Sequence, residues 1–505
     1  MDAAGSAGPA GNPAETPEGA VPDAAPQPPE TDFGRRRSRW AALAVLATGQ
    51  LMLIVDGTGV AVALPQIRAD LGLAGAQLSW VVNGYLVAYG GLLLLCGRLG
   101  DLLGRRRVFL AGIAVFTAAS LLCGVAGTAA QLVVARFVQG VGCAMAGSLI
   151  TGMVVVLFPE GRERVRAITV IAFVAAGGGS LGALGGGLLT ELLGWPWMFL
   201  INVPIGALLL AAGHRTLAPD RGAGRDGGAD LLGAVLVTAG LMLLVYAIGD
   251  LGPDGSGVAV PAGAAVLGLV LVAAFAWRQA RAAAPLVDLS IFRSRALSGG
   301  NLVQALFVGA MFGFQYLVTL YLQEVLGLGS LETGLAYLLA SAVIGATTLG
   351  PAGPLIVRWG VRRVLPLGLG AGLSAFGWLA RAPEAGGYTV DVLPAMLLLG
   401  VSAGLVIPAA TSLAMTGASD SDSGVRSGVA GTAQQVGGAL GLAALAALAA
   451  AVTDASAAGG AGRAAALTAG YRAGFAAGAV LLALAAVAAV AVLRRERGTD
   501  EAEAA

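Results

Sequence analysis

Residues 97–107 read Gly97-Arg98-Leu99-Gly100-Asp101-Leu102-Leu103-Gly104-Arg105-Arg106-Arg107, a short charged segment set between two long apolar runs. Gly97, Gly100 and Gly104 permit close backbone approach and a tight turn, and Asp101 and Arg105, four residues apart, can pair on a helical turn. A merely basic loop, held on one side of a membrane by its charge, would explain Arg105, Arg106 and Arg107 but not the acid and the glycines. The stretch therefore predicts a hinge joining two membrane helices.

The composition agrees. Hydrophobic residues make up 57% of the 505-residue chain and charged residues 12%, against roughly 25% charged in a soluble domain; mean hydropathy is +0.82. Such a chain needs a lipid bilayer as its solvent. A formal net charge of +1 gives no reason to expect a nucleic-acid partner. Cys96, Cys123 and Cys143 fall in apolar segments without metal-ligand spacing and read as small packing residues, with no metal site expected. His214, beside Arg215, reads as a surface or cap residue at a helix end.

Residues 1–34, rich in Ala, Gly, Pro and acids, read as a disordered tail without the apolar core of a cleaved signal peptide. Arg35, Arg36, Arg37 and Arg39 precede Trp40 and the first apolar run, which places the N-terminus inside. Apolar runs of roughly 17 to 25 residues predict helices near 40–63, 78–97, 107–127, 130–157, 166–189, 197–213, 231–249, 258–277, 298–323, 332–352, 363–380, 391–415, 427–450 and 470–493. Fourteen crossings put both termini on the same side.

Arginine tests that topology, because the chain has no lysine. Arg162, Arg164, Arg166, Arg215, Arg221, Arg225, Arg278, Arg281, Arg293, Arg295, Arg358, Arg362, Arg363, Arg494, Arg495 and Arg497 all fall on the expected inner side. Only Arg68, Arg381, Arg463 and Arg472 fall on the outer one. A missed or extra helix would invert the bias for everything downstream. Gly353, Gly360, Arg362 and Arg363 also repeat the spacing of Gly97, Gly104, Arg106 and Arg107, with Val357 where Asp101 stands, as two related halves would.

The stretch at 97–107 resembles the signature loop between the second and third helices of the major facilitator superfamily. Other segments resemble the fourteen-helix drug:proton antiporter branch. Leu51 to Pro65, LMLIVDGTGVAVALP, is similar to its helix-one motif, keeping Asp56, Thr58 and Ala63-Leu64-Pro65, with Ala61 where Asn is usual. Arg136-Phe137-Val138-Gln139-Gly140 is similar to the helix-four motif. Gly182-Ala183-Leu184-Gly185-Gly186-Gly187 and the exit Gly194 to Gly206 resemble the antiporter motif and the segment after it; Ala183 stands where proline is usual, and Pro196 where arginine is.

The resemblance implies an all-α integral membrane protein with two six-helix bundles, 35–213 and 298–493, joined by a linker at 214–297 that carries two extra helices, and a cytoplasmic tail at 494–505. It implies gating by Gly97, Asp101, Gly104, Arg105 and Arg106, an antiporter motif at Gly182, Gly186 and Gly187, and a helix-four motif at Gln139 and Gly140.

Asp56 and Arg136 stand out energetically, because an ionisable group inside a membrane helix costs at least a few kcal/mol and persists where it has a partner or a function. At about 1.5 Å per residue, Asp56 lies roughly 24 Å from Trp40 and Arg136 roughly 9 Å from the opposite end of helix four. That places both in the outer half at similar depth, as expected of a proton-coupling pair. Bundle hydrogen bonding for Asp56, or snorkelling of Arg136 to the interface, are the structural alternatives. Glu324 reads as a solvated rim acid. Asn301, Gln304, Phe307 and Gln315 on helix nine suit a cavity for amphipathic organic molecules, although such aromatics also pack between helices.

The resemblance thus implies a proton-driven exporter of hydrophobic or amphipathic compounds such as drugs or antibiotics, a multi-pass plasma-membrane protein acting as a monomer. The proton gradient takes the place of a cofactor. A proton-coupled nutrient importer is the alternative, although helix one lacks the clustered charges and paired tyrosines of peptide uptake. A membrane enzyme would need a reactive cluster, and the sequence holds one histidine, no metal spacing and no phosphate-binding loop.

Overall fold

A computed structural model describes residues 32–503 apart from 74, 159–160, 221–229, 250–258, 283–284 and 417–422. Most of the expected tail at 1–34, and Arg221 and Arg225, lie outside the described residues. Sixteen α-helices carry the described chain: α1 (Asp32–Leu71), α2 (Gly75–Leu103), α3 (Arg105–Gly124), α4 (Ala129–Leu157), α5 (Gly161–Leu193), α6 (Pro196–Leu200), α7 (Asn202–Thr216), α8 (Leu231–Gly249), α9 (Ala259–Gln279), α10 (Arg295–Leu320), α11 (Ser330–Thr347), α12 (Gly353–Trp359), α13 (Val361–Leu379), α14 (Leu393–Ala414), α15 (Ser423–Ala458) and α16 (Arg463–Glu503).

Thirteen stretches are long and apolar enough to cross a bilayer, with α6 and α7 forming one of them and α11 and α12 another. The fourteenth expected crossing is α13, whose 19 residues carry Arg362 and Arg363 in the first turn, which lowers its hydropathy. Several helices overrun their expected ends. α1 starts at Asp32 and α16 continues to Glu503, through the segment expected to be the tail. Helix propensity does not stop where lipid stops.

Packing repeats between the two halves. In the first, α1 packs on α5, α3 on α4, α2 on α4 and α3 on α7; in the second, α10 packs on α15, α13 on α14, α11 on α14 and α13 on α16. The halves meet along two seams, α5 with α11 and α2 with α15. The extra pair, α8 and α9, forms a hairpin laid against α2 and α15. Its base is stapled by Asp230, which accepts from the Gly233 N–H (2.8 Å), Arg278 Nε (2.6 Å) and Gln279 Nε2 (2.7 Å).

The two hinge loops share a backbone device. Gly104, between α2 and α3, has φ +97°, and Gly360, between α12 and α13, has φ +73°. That left-handed region is open to glycine and strained for other residues. It turns the chain within one residue, so each helix pair can run antiparallel directly. The sequence repeat is thus a repeat of a turn.

Candidate functional site

α1 brings Asp56, α4 brings Arg136 and Gln139, α3 brings Ser120 and α7 brings Asn202 to one point inside the first half. None of Asp56, Ser120, Arg136, Gln139 and Asn202 is more than 1% exposed. Asp56 Oδ2 accepts from Arg136 Nη1 at 2.6 Å, and Oδ1 accepts from Gln139 Nε2 at 2.8 Å and Asn202 Nδ2 at 2.9 Å. Gln139 Oε1 accepts a second bond from Arg136 Nη1, at 2.7 Å. Ser120 Oγ accepts from Gln139 Nε2 at 2.6 Å and from Asn202 Nδ2 at 3.2 Å. Each amide is thereby oriented by its neighbours.

Arg136 is held on every side. Its Nε donates to the Val81 carbonyl at 2.9 Å, and its Cζ lies 4.4 Å from the Tyr85 ring centroid and 5.6 Å from that of Phe199. Nη2 has no hydrogen-bond partner; the ring faces supply electrostatic attraction in its place. The similar depth expected of Asp56 and Arg136 is what brings them together, and burial of the guanidinium excludes snorkelling. Gly140 makes the approach of α4 to α2 possible, because a Cβ there would overlap the Tyr85 carbonyl and lie 2.9 Å from Ala88 Cβ.

Glycines of α5 serve α1 in the same way. A Cβ on Gly182 would overlap Thr58 Oγ1, and one on Gly186 would lie 2.7 Å from Gly59 Cα. Gly187 faces the other half, where a Cβ would come within 2.5 Å of the Ser330 carbonyl on α11. α5 runs from Gly161 to Leu193 as one helix through Ala183.

At the arginine-rich hinge, Arg105 Nη2 and Nε bond Asp101 Oδ1 at 2.9 and 3.1 Å, the pairing that the four-residue spacing allows. Asp220, from the loop after α7, caps α3, accepting from the Arg105 N–H at 2.5 Å and the Arg106 N–H at 3.2 Å. A carboxylate there meets the positive end of the helix. Arg106 Nη2 donates to the carbonyl of His214, whose side chain is exposed as expected. Gly100 lies against Leu149, whereas Gly97 has no atom nearer to a Cβ than 4.0 Å. Close approach therefore rests on Gly100 and the turn on Gly104.

The expected cavity residues on α10 separate. Phe307 is fully buried in the hydrophobic core, so it is a packing residue and not a cavity wall. Gln304 donates to Thr411 Oγ1 at 2.7 Å and accepts from Gln434 Nε2 at 3.3 Å; Asn301 is buried with neither side-chain polar atom bonded. Gln315 reaches across to the Thr58 carbonyl at 3.4 Å. Glu324 is not a solvated rim acid. Its side chain is 10% exposed and pairs with Arg68 of the other half at 2.9 Å. Cys96, Cys123 and Cys143 are buried and free, and no cluster able to hold a metal occurs among the described residues.

The sequence profile of the Major Facilitator Superfamily matches residues 46–442. The chain belongs to that superfamily. This facilitator is 38% identical over 411 residues to the cephamycin export protein CmcT of Amycolatopsis lactamdurans, covering 80% of its own length and 83% of the relative's. It is 37% identical over 409 residues to the puromycin resistance protein pur8 of Streptomyces alboniger, covering 80% of each. A bacterial homologue of the human lysosomal transporter Spinster, solved inward-facing and unoccupied, shares its fold with a TM-score of 0.64 at 17% identity over 90% of the facilitator and 97% of that chain. The facilitator is a multi-pass membrane transporter and not an enzyme.

Sequence reasoning missed Asn202, Ser120 and Asp220 as members of these networks. Asn202 carried a signal, an amide inside an apolar 21-residue span, where polar groups need partners. Asp220 carried none, because a single loop acid has no periodicity to betray what it caps.

Proposed function

We propose that this facilitator exports hydrophobic or amphipathic organic compounds of the antibiotic kind in exchange for protons. Its arginine-rich face is cytoplasmic, its membrane is the cell membrane and its working unit is a single chain. The observation that carries the coupling is the Asp56 carboxylate, wholly buried, paired with Arg136 of α4 and joined through Gln139, Ser120 and Asn202 to two further helices, α3 and α7. A proton gained there removes the charge that Arg136 and two amide donors meet, so protonation is linked to the packing of α1 against α4 and α7. Export as the direction, and antibiotics as the substrate class, rest on the relatives named for cephamycin export and puromycin resistance.

In this reading Asp101, Arg105, Arg106 and Gly104, with Asp220, form the cytoplasmic gate, and Gly182, Gly186 and Gly187 let α5 slide against α1 and α11. Gln315, Gln304 and Asn301 offer polar contacts to substrate. The test is uptake into inside-out vesicles with an imposed pH gradient, using puromycin and a cephamycin as probes. Acidifying the lumen should drive accumulation in the parent and not in Asp56→Asn at matched membrane levels. Accumulation that persists in Asp56→Asn would remove the coupling role, and inability to move either compound would remove the substrate class.

A further inference from the structure

The arginine-poor ends of the two halves are joined by polar bonds that the transport cycle proposed for Asp56 does not use. Arg68, in the last turn of α1, pairs with Glu324 Oε1 at 2.9 Å. Gln323 Nε2 donates to the Val62 carbonyl at 3.0 Å, and Glu191 at the end of α5 accepts from the Ser330 N–H of α11 at 3.1 Å. Glu324 is also held from its own half, where Tyr471 of α16 donates to Oε2 at 3.1 Å. Both carboxylate oxygens are thus engaged, one by each half.

The three partners are unequally free. Arg68 is 34% exposed, Glu324 10% and Tyr471 4%. Glu324 sits in a π-helical turn, Tyr321–Val325, that ends α10. Such turns break the regular helix ladder and recur at functional sites. If the seam parts, the arginine can turn to water on its long stem at little cost, whereas Glu324 and Tyr471 stay packed together.

We propose that Arg68, Glu324 and Tyr471 form the latch of the outer gate, with Tyr471 fixing the carboxylate on the second half and Arg68 as the member that releases it. Glu324 is a positioning residue. It contacts neither Asp56 nor the α10 amides, and its action is to set how often the arginine-poor face opens. A partly exposed ion pair of this kind is worth up to about 1 kcal/mol, so its loss should raise the open fraction about three- to fivefold.

The proposal rests on the reading of the chain as an alternating-access exporter with its arginine-poor face outside, but its test needs neither substrate nor gradient. In the full-length protein, Cys96, Cys123 and Cys143 are replaced by serine and Gln315 by cysteine. The reporter then lies roughly 13 Å deeper than Glu324 along α10. Intact cells are treated with a membrane-impermeant methanethiosulfonate. Glu324→Gln and Arg68→Gln should each speed modification about three- to fivefold, and Tyr471→Phe should do so by a smaller factor. The exchange of Arg68→Glu with Glu324→Arg should restore the slow rate, which a general loosening of the fold would not do. Rates equal to the parent in both single variants, or an exchange as fast as the singles, would overturn the latch. If the latch responds as stated while Asp56→Asn still drives export, the coupling reading fails and the gate stands.

Discussion

Replacing Asp56 by asparagine keeps the shape of the side chain and removes its charge, and the hydrogen-bond network dictates the consequence. An amide at position 56 must turn its NH2 either toward Arg136 Nη1 or toward the Gln139 and Asn202 donors, all within 2.9 Å of the present oxygens. Turning Gln139 about does not help, because its Oε1 already accepts from Arg136 and its Nε2 would then face a guanidinium. At least one donor is left opposed to a donor, and Arg136 is left as a buried cation without a counter-ion. Breaking a buried pair from one side costs about 3–5 kcal/mol. The double variant Asp56→Asn/Arg136→Gln removes the stranded charge and should regain more than half of that loss. The assay is the thermal unfolding midpoint in nanodiscs, read from the intrinsic fluorescence of the seven tryptophans, run beside vesicle export. The single variant should unfold earlier than the parent, the double variant should lie between them, and neither should export under a pH gradient. A single variant that unfolds with the parent and exports at its rate would refute both the energetics and the coupling. A double variant that recovers export would show that the pair only stabilises the fold.

Asn202→Ala deletes one donor to a charged acceptor, a loss of about 1.5–3 kcal/mol, and should lower the export rate less than Asp56→Asn does; an unchanged rate at matched expression would place Asn202 outside the working network. Gly186→Ala should abolish membrane yield or export, since its Cβ would meet Gly59 backbone at 2.7 Å, whereas Gly185→Ala, with no atom within 4 Å, should behave as the parent; equal effects of the two would refute the close-approach argument. At Asp230, burial pushes the carboxyl upward, but Arg278, the Gly233 N–H and Gln279 outweigh it and hold it below the usual carboxylate range. The resulting stability is present above the unfolded value of about 3.9 and is lost as pH falls through the folded value. The gap in unfolding midpoint between the parent and Asp230→Asn should therefore be constant from about pH 8 to 5 and close below about pH 4, and a gap that persists at low pH would count against an ionised staple.

The crossings were legible because lipid imposes one rule on every segment, a long apolar run, and arginine marks the side on which it ends. α8 shows this, since its expected bounds and Leu231–Gly249 coincide. The hinge was legible because Gly104 and Gly360 are needed by backbone geometry, and Asp56 and Arg136 because charge in an apolar helix is rare. The helix-nine cavity was only partly legible. An aromatic such as Phe307 satisfies a core and a binding wall equally, and nothing in its spacing separates the two. Glu324 was misread for a related reason. Its position near a helix end marks depth, but its burial comes from Arg68 and Tyr471, 256 and 147 residues away.

Two of the carboxylates that join helices in this molecule, Asp56 and Glu324, differ in access, and that difference orders the proposed transport cycle. Asp56 has no exposure and lies about 18 Å below Arg68 along α1, beneath the contacts of Gln315 with Thr58 and of Gln323 with Val62. A proton that reaches Asp56 from the arginine-poor face along the seam between the halves meets the Arg68–Glu324 pair first. On that route, parting of the seam comes before any exchange at Asp56, and protonation of Asp56 is not what first opens it. Gradient coupling then requires that the open state, once reached, be held by the neutral Asp56, since a ligand shifts a two-state equilibrium only by the difference in its affinity for the two states. In the proposed cycle the seam sets how often the outer face opens, and the buried pair sets whether that opening is kept long enough to trade a proton for a substrate.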